Sequence, residues 1–304
     1  MSVPSSVGSG GNSIKTINPA TGAVDSSVFV GSEPDKLAIS DDGQSLYVNL
    51  DGAFSIRRFD ASTQTPGLEF SVGQDNFFGR YAISDLAVAP GNPNLVAVAR
   101  HHLGVSPPQA GVAVFDNGVQ RPNTGPGHSE GSDFLAFSAS ASTLYGAGFS
   151  SSLKTLTVDA SGVSVSSSSQ FGFGRIKFSN NLIFTSGGQI INPVSNTLLG
   201  TITGAASDAF VPDTSAGRVY FVTQDPFSSN NLILRAFSID TFLQVGSLTI
   251  PGVTGQPTSL VRWGANGLAF RTTSDELFII QTSLIPSAEP IPTPTPVVSP
   301  TPTP

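Results

Sequence analysis

Apolar and polar residues alternate along this chain in short runs, and the runs come in sets. Asp35-Lys36-Leu37-Ala38-Ile39-Ser40 reads as one strand, closed by the turn Asp41-Asp42-Gly43-Gln44. Ser45-Leu46-Tyr47-Val48-Asn49 is a second and Phe54-Ser55-Ile56-Arg57-Arg58-Phe59-Asp60 a third. Gly67-Leu68-Glu69-Phe70-Ser71-Val72-Gly73 ends a fourth. Each run has a period of two and is bounded by Gly, Asp, Asn or Pro, the signature of a half- or fully buried β-strand.

The first strand of the set recurs. Leu86-Ala87-Val88-Ala89, Leu135-Ala136-Phe137-Ser138, Ile176-Lys177-Phe178-Ser179, Ala209-Phe210-Val211-Pro212 and Leu260-Val261-Arg262-Trp263 follow Leu37 at spacings of 49, 49, 41, 33 and 51 residues. Second and third strands follow each one, as in Leu182-Ile183-Phe184-Thr185 and Gln189-Ile190-Ile191-Asn192. A period near 45 residues built of four strands predicts a β-propeller blade. A lone four-stranded sheet cannot cover both of its faces; a ring of such sheets covers them blade against blade.

The two ends decide the blade count. Ser13-Ile14-Lys15-Thr16-Ile17-Asn18 aligns with a third strand, and residues 24–31 align with a fourth. The chain therefore reads as starting inside a blade, with a seventh first strand expected before Met1. Residues 258–285 supply three strands. Seven blades are expected, the first incomplete. Six is the alternative, in which residues 24–30 complete the blade begun at Thr258. From Pro286 the composition changes to Pro/Thr, with eight prolines in residues 286–304. The domains expected are a propeller over residues 1–285 and a Pro/Thr-rich disordered linker over 286–304, leading to further domains of the same polypeptide beyond Pro304.

Composition narrows the function classes. Charged residues make up 12% of the 304, about half the usual share of roughly 25%. The 32 Gly and 23 Pro suit tight turns, not helices. The net charge of −7, with no basic stripe, disfavours nucleic acid. No apolar run approaches 18 residues, so no membrane-inserted helix is expected. The absence of cysteine excludes a disulfide framework, a thiolate metal site and a cysteine nucleophile. Residues 1–6 carry no signal peptide. Together with the tail, these features predict part of an extracellular or cell-surface protein whose leader lies outside this sequence.

The unit Leu37-Ala38-Ile39-Ser40-x-Asp42-Gly43-x-x-Leu46-Tyr47-Val48, followed by Ile56-x-x-Phe59-Asp60, resembles the YVTN-type β-propeller repeat. Ile14-x-x-Ile17-Asn18-Pro19-x-Thr21-Gly22 is similar to that repeat's turn. The resemblance covers about residues 13–285, is good over 13–73 and is degenerate beyond. It implies a bacterial propeller fold of the kind found in surface proteins and in lactonase-like enzymes; it does not imply one function.

Few residues suggest chemistry. His101 and His102 fall between the second and third strands of one blade, and His128 and Glu130 fall in the connection to the next. Those two loop classes share one face of a propeller. Imidazole with carboxylate suits zinc or another divalent ion, so His101, His102, His128 and Glu130 form the candidate metal set. The competing reading is of solvent-exposed loop histidines. Asp75, Phe77, Phe78, Arg80 and Tyr81 join two blades on the same face and form the candidate binding set for a protein or glycan; the competing reading has Phe77 or Phe78 plugging the blade junction. Gly127-His128-Ser129-Glu130-Gly131 fits G-x-S-x-G but lacks the strand before and the helix after that a nucleophile elbow requires. Asp41-Asp42-Gly43 is a turn and not a calcium loop. No catalytic set is expected and no cofactor is required. The sequence favours a non-enzymatic propeller presenting loops, with a metal-dependent lactonase-like hydrolase and a structural spacer as alternatives.

Overall fold

The computed structural model describes residues 1–149 and 152–286. They form seven antiparallel blades of a β-propeller, with helix confined to three short 3-10 turns. Blade 2 sets the plan: Pro34–Ile39 is innermost, then Ser45–Leu50, Ser55–Asp60 and Thr65–Ser71 outermost. Blades 3 to 6 repeat it from Ala82–Ala89, Phe134–Phe137, Ile176–Ser179 and Phe210–Asp213. Blade 7 has three strands, Pro257–Trp263, Gly267–Thr272 and Leu277–Gln281. Blade 1 also has three, Ser2–Val3, Ser13–Ile17 and Val24–Phe29. The tail expected over 286–304 lies, beyond Pro286, outside the described residues.

The six-blade alternative is corrected here. Residues 24–29 pair with Ser13–Ile17 of blade 1 and not with blade 7. Ile14 and Val30 pack on Val48 and Leu50 of blade 2, just as Ile56 and Val72 pack on Val96 and Val98 of blade 3. These apolar residues find their cover on the next blade in sequence. Pairing with blade 7 would instead close a loop of more than 200 residues, at a larger entropy cost.

The strands explain their own burial. In Asn92–His101, Val96 and Val98 face blade 2 while Leu95, Ala97 and Ala99 face blade 4. Both sides of the strand meet a neighbour, so it reads as a continuous apolar run instead of an alternating one. Six hydrophobic clusters fill the interfaces between consecutive blades from 1 to 7. Between blades 7 and 1 no such cluster is found among the described residues. There Arg271 donates from Nη1 to the Ser2 carbonyl at 2.9 Å. On the other side of blade 1, Ser2 Oγ donates to the Asp35 carbonyl of blade 2 at 2.8 Å. A polar contact marks the seam between blades 7 and 1.

One more tie crosses blades 3 and 4. Asn123 N donates to the Ser161 carbonyl at 2.7 Å and Val163 N donates to the Asn123 carbonyl at 3.1 Å. Gly162 makes this approach possible, since a Cβ there would lie 2.0 Å from the Asn123 carbonyl oxygen.

Two stability outcomes follow. Phe221 is 1% exposed and stacks on Phe210 with ring centroids 5.4 Å apart, so Phe221→Ala should cost about 3–5 kcal/mol in denaturant unfolding. Arg271→Ala should cost only about 1 kcal/mol globally. Hydrogen exchange should nevertheless accelerate selectively in blades 1 and 7. Uniform acceleration around the ring would show that the seam is not its weak point.

Candidate functional site

In blades 2 to 7 the chain runs away from one face along the innermost strand and returns to it along the second. Connections from second to third strand, and from outer strand to the next blade, therefore share that face. A cavity of about 520 Å³ opens there, built by blades 2 to 5. The starts of the innermost strands bring Lys36, Ser84, Phe134 and Arg175; the second-to-third connections bring Asp51, Phe54, His101 and Phe149. A second cavity of about 410 Å³ shares Arg175 and lies further along the same strands, against Asp85, Lys177 and Pro212. Together they follow the central bore inward from the face.

The polar groups at the mouth are held in place. Gln109 Nε2 donates to both carboxylate oxygens of Asp133 at 3.0 and 3.1 Å, and Phe149 N donates to one of them at 3.2 Å. Asp51 accepts from Asn49 Nδ2 at 2.7 Å, and burial pushes its carboxyl above the usual range. His101 Nδ1 shares a hydrogen bond with Ser84 Oγ at 2.9 Å. Burial holds the His101 ring below its ordinary pKa despite the nearby Asp51 and Asp133. Lys36 pairs with Asp35. The Arg175 guanidinium lies over the Phe134 ring, 4.7 Å from its centroid.

Deeper in, Lys177 Nζ donates to the Leu260 carbonyl at 3.0 Å, reaching from blade 5 to blade 7 across the bore. It also lies 5.4 Å from the centroid of the Phe210 ring. Asp85 accepts from Leu135 N at 2.9 Å and burial raises its carboxyl, with Arg175 and Lys36 opposing that rise.

The expected metal set is not brought together. His101 and His102 are adjacent at a strand end and face opposite ways, as the period of two requires. His101 lines the cavity, whereas His102 is buried against Phe78 and Tyr81, with ring centroids 4.8 and 5.2 Å away. His128 and Glu130 sit on a 3-10 turn, and Glu130 pairs with Lys154 at 3.1 Å. Among the described residues no group of three or more His, Asp or Glu side chains is placed to hold a metal ion.

The expected binding set does form one unit. Asp75 Oδ1 accepts from Phe77 N at 2.6 Å and Phe78 N at 2.9 Å, closing the hairpin of Gln74–Asp75 with Gly79–Arg80. That turn lifts Phe77 into solvent, 90% exposed, so Phe77 is no plug. Phe78 stays half exposed over His102. Arg80 lies over Phe54, 6.0 Å from the ring centroid, which joins this hairpin to the wall of the first cavity. The Tyr81 ring carries the Arg100 guanidinium at 4.4 Å.

Sequence reasoning missed Asp51, Phe149 and Arg175, and noted Asp133 only as a carboxylate near His128 and Glu130. The available signal was their register: each stands at the end of a strand on the loop-bearing face. Five of the six exposed phenylalanines among the described residues, namely Phe77, Phe78, Phe149, Phe173 and Phe227, lie in connections on this face. Phe29, on an outer strand, is the sixth.

No family model matches the chain, and none of the curated proteins does. Among solved structures the chain is similar to hydrazine synthase from Kuenenia stuttgartiensis, with a TM-score of 0.64 and 14% identity over 90% of each chain. Identity this low carries the propeller fold and no activity. The YVTN repeat family is not confirmed by a family model.

The buried Lys177 makes a pH prediction. Burial lowers its ammonium from 10.5 to about 8. The unfolded chain then binds the extra proton between about 8 and 10.5, so this group makes stability rise with pH through that window. Chemical denaturation at pH 7.5 and 10 should show a rise on the order of 1–3 kcal/mol that Lys177→Met lacks. Equal pH dependence in both proteins would contradict it.

Proposed function

We propose that this propeller is a binding module whose loop-bearing face recognises a glycan. One observation carries the reading: exposed phenylalanines gather on a single face, and one of them, Phe149, stands in the wall of a cavity lined by carboxylates, a histidine and an arginine. Exposed aromatic side chains concentrated at one place mark an interaction surface. Aromatic faces stack on the C–H faces of sugar rings, while carboxylates and imidazole bond their hydroxyls. A half-open cavity of about 520 Å³ suits one to three sugar residues better than a flat protein surface. Asp51 and His101 would take hydroxyls, and Phe149 would stack on the ring.

The setting we propose, an exported or cell-surface polypeptide, rests on the sequence: no cysteine, low charge and the Pro/Thr-rich residues 286–304.

Screening the purified protein against immobilised oligosaccharides tests the function. Phe149→Ala should weaken any hit about tenfold, the equivalent of about 1.4 kcal/mol of stacking. Phe29→Ala, on the outer strand, should leave it unchanged. Absence of any saccharide binding, or equal loss in both variants, would remove this reading.

A further inference from the structure

Among the described residues, one guanidinium on the cavity wall has no acceptor. The Arg175 guanidinium forms no hydrogen bond and no ion pair with any described residue, and its Nε is buried without a partner. The guanidinium is partly buried at the cavity wall, where the Phe134 ring is its one close partner and its hydrogen-bonding capacity is left open to a ligand. The surrounding carboxylates are already engaged. Asp133 is held by Gln109 and Phe149 N, Asp35 by Lys36, Asp51 by Asn49 and Asp85 by Leu135 N. Asp85 attracts Arg175 through space, but the two do not pair.

Position makes that donor useful. Arg175 lines both cavities, at the point where the mouth passes into the bore. Stacking on Phe134 fixes the plane of the guanidinium. A planar fork held in this way matches a carboxylate through two parallel hydrogen bonds, which a point-charge ammonium does not reproduce. Hydroxyl-binding groups flank it at the same cavity, with Asp51 and His101 on the second-to-third connections of blades 2 and 3.

We infer that Arg175 reads a carboxylate, and that the ligand is an acidic saccharide built from uronic acids. This rests on the glycan reading above and adds the charge of the sugar. The carboxylate enters over Phe134 to Arg175, and the ring lies toward Phe149 with its hydroxyls at Asp51 and His101. No bond is made or broken.

The test uses trimers of galacturonic, glucuronic and mannuronic acid, each paired with its methyl ester, titrated calorimetrically into the intact protein. The ester keeps the sugar and removes the charge. At least one acid should bind ten- to hundredfold tighter than its ester. Arg175→Gln should bring that acid down to the level of the ester and leave the ester unchanged, and Arg175→Lys should recover only part of the difference. Phe149→Ala should weaken acid and ester alike. Unchanged binding of the ester by Arg175→Gln, with a thermal midpoint within a few degrees of the wild type, shows that a loss of acid binding is not a loss of fold. Acid and ester binding equally, or Arg175→Gln weakening both equally, would overturn the assignment of Arg175 while leaving the glycan reading in place. No binding by any trimer, together with no hit among neutral saccharides, would overturn both. Competition by acetate alone, at the concentration of the trimer, would overturn the saccharide part.

Discussion

A blade of this protein has two apolar faces and no means of covering either by itself. Everything else depends on that constraint. Each sheet is stable only as the neighbour of two others, so the chain must continue until the ring closes. Six interfaces meet the demand with packed aliphatic and aromatic side chains. The seventh carries the hydrogen bond from Arg271 to the Ser2 carbonyl instead. A hydrogen bond contributes roughly 1 kcal/mol net, whereas one buried large apolar side chain contributes roughly 2–3. The ring is therefore uneven, firm through blades 2 to 6 and loosest where blades 7 and 1 meet.

That unevenness bears on the site. The mouth cavity is assembled from blades 2 to 5, in the firm arc and away from the seam. Asp133, Asp51 and His101 each have partners that fix them, and Arg175 is fixed by an aromatic face. Groups held this way lose little freedom when a ligand arrives. The strands supply the rigidity and the connections supply the chemistry, the usual division of labour between scaffold and loop.

Much of the fold was legible along the chain because the innermost strands recur at a regular spacing and the second strands, such as Asn92–His101, are buried on both sides. The runs at Leu37, Leu86, Leu135, Ile176, Ala209 and Leu260 are all found as innermost strands, and the turns after them fall where Gly, Asp, Asn or Ser cluster. The site was less legible. Arg175 and Asp51 lie more than 120 residues apart in sequence and share a cavity only because the ring returns every blade to the same axis. No local spacing encodes that meeting. The adjacent His101 and His102 looked like a pair of ligands, and strand geometry separated them. Phe77 was open to reading as a plug; its exposure depends on the Asp75 carboxylate bonding two backbone N–H groups, a local detail that hydrophobic pattern does not report.

The reach of Lys177 to the Leu260 carbonyl passes blade 6 and ties blade 5 to blade 7. A chord of this kind couples two blades that are not neighbours in the ring. A disturbance at the loose edge of blade 7 then reaches blade 5, which follows Arg175 directly in the chain, without passing through blade 6.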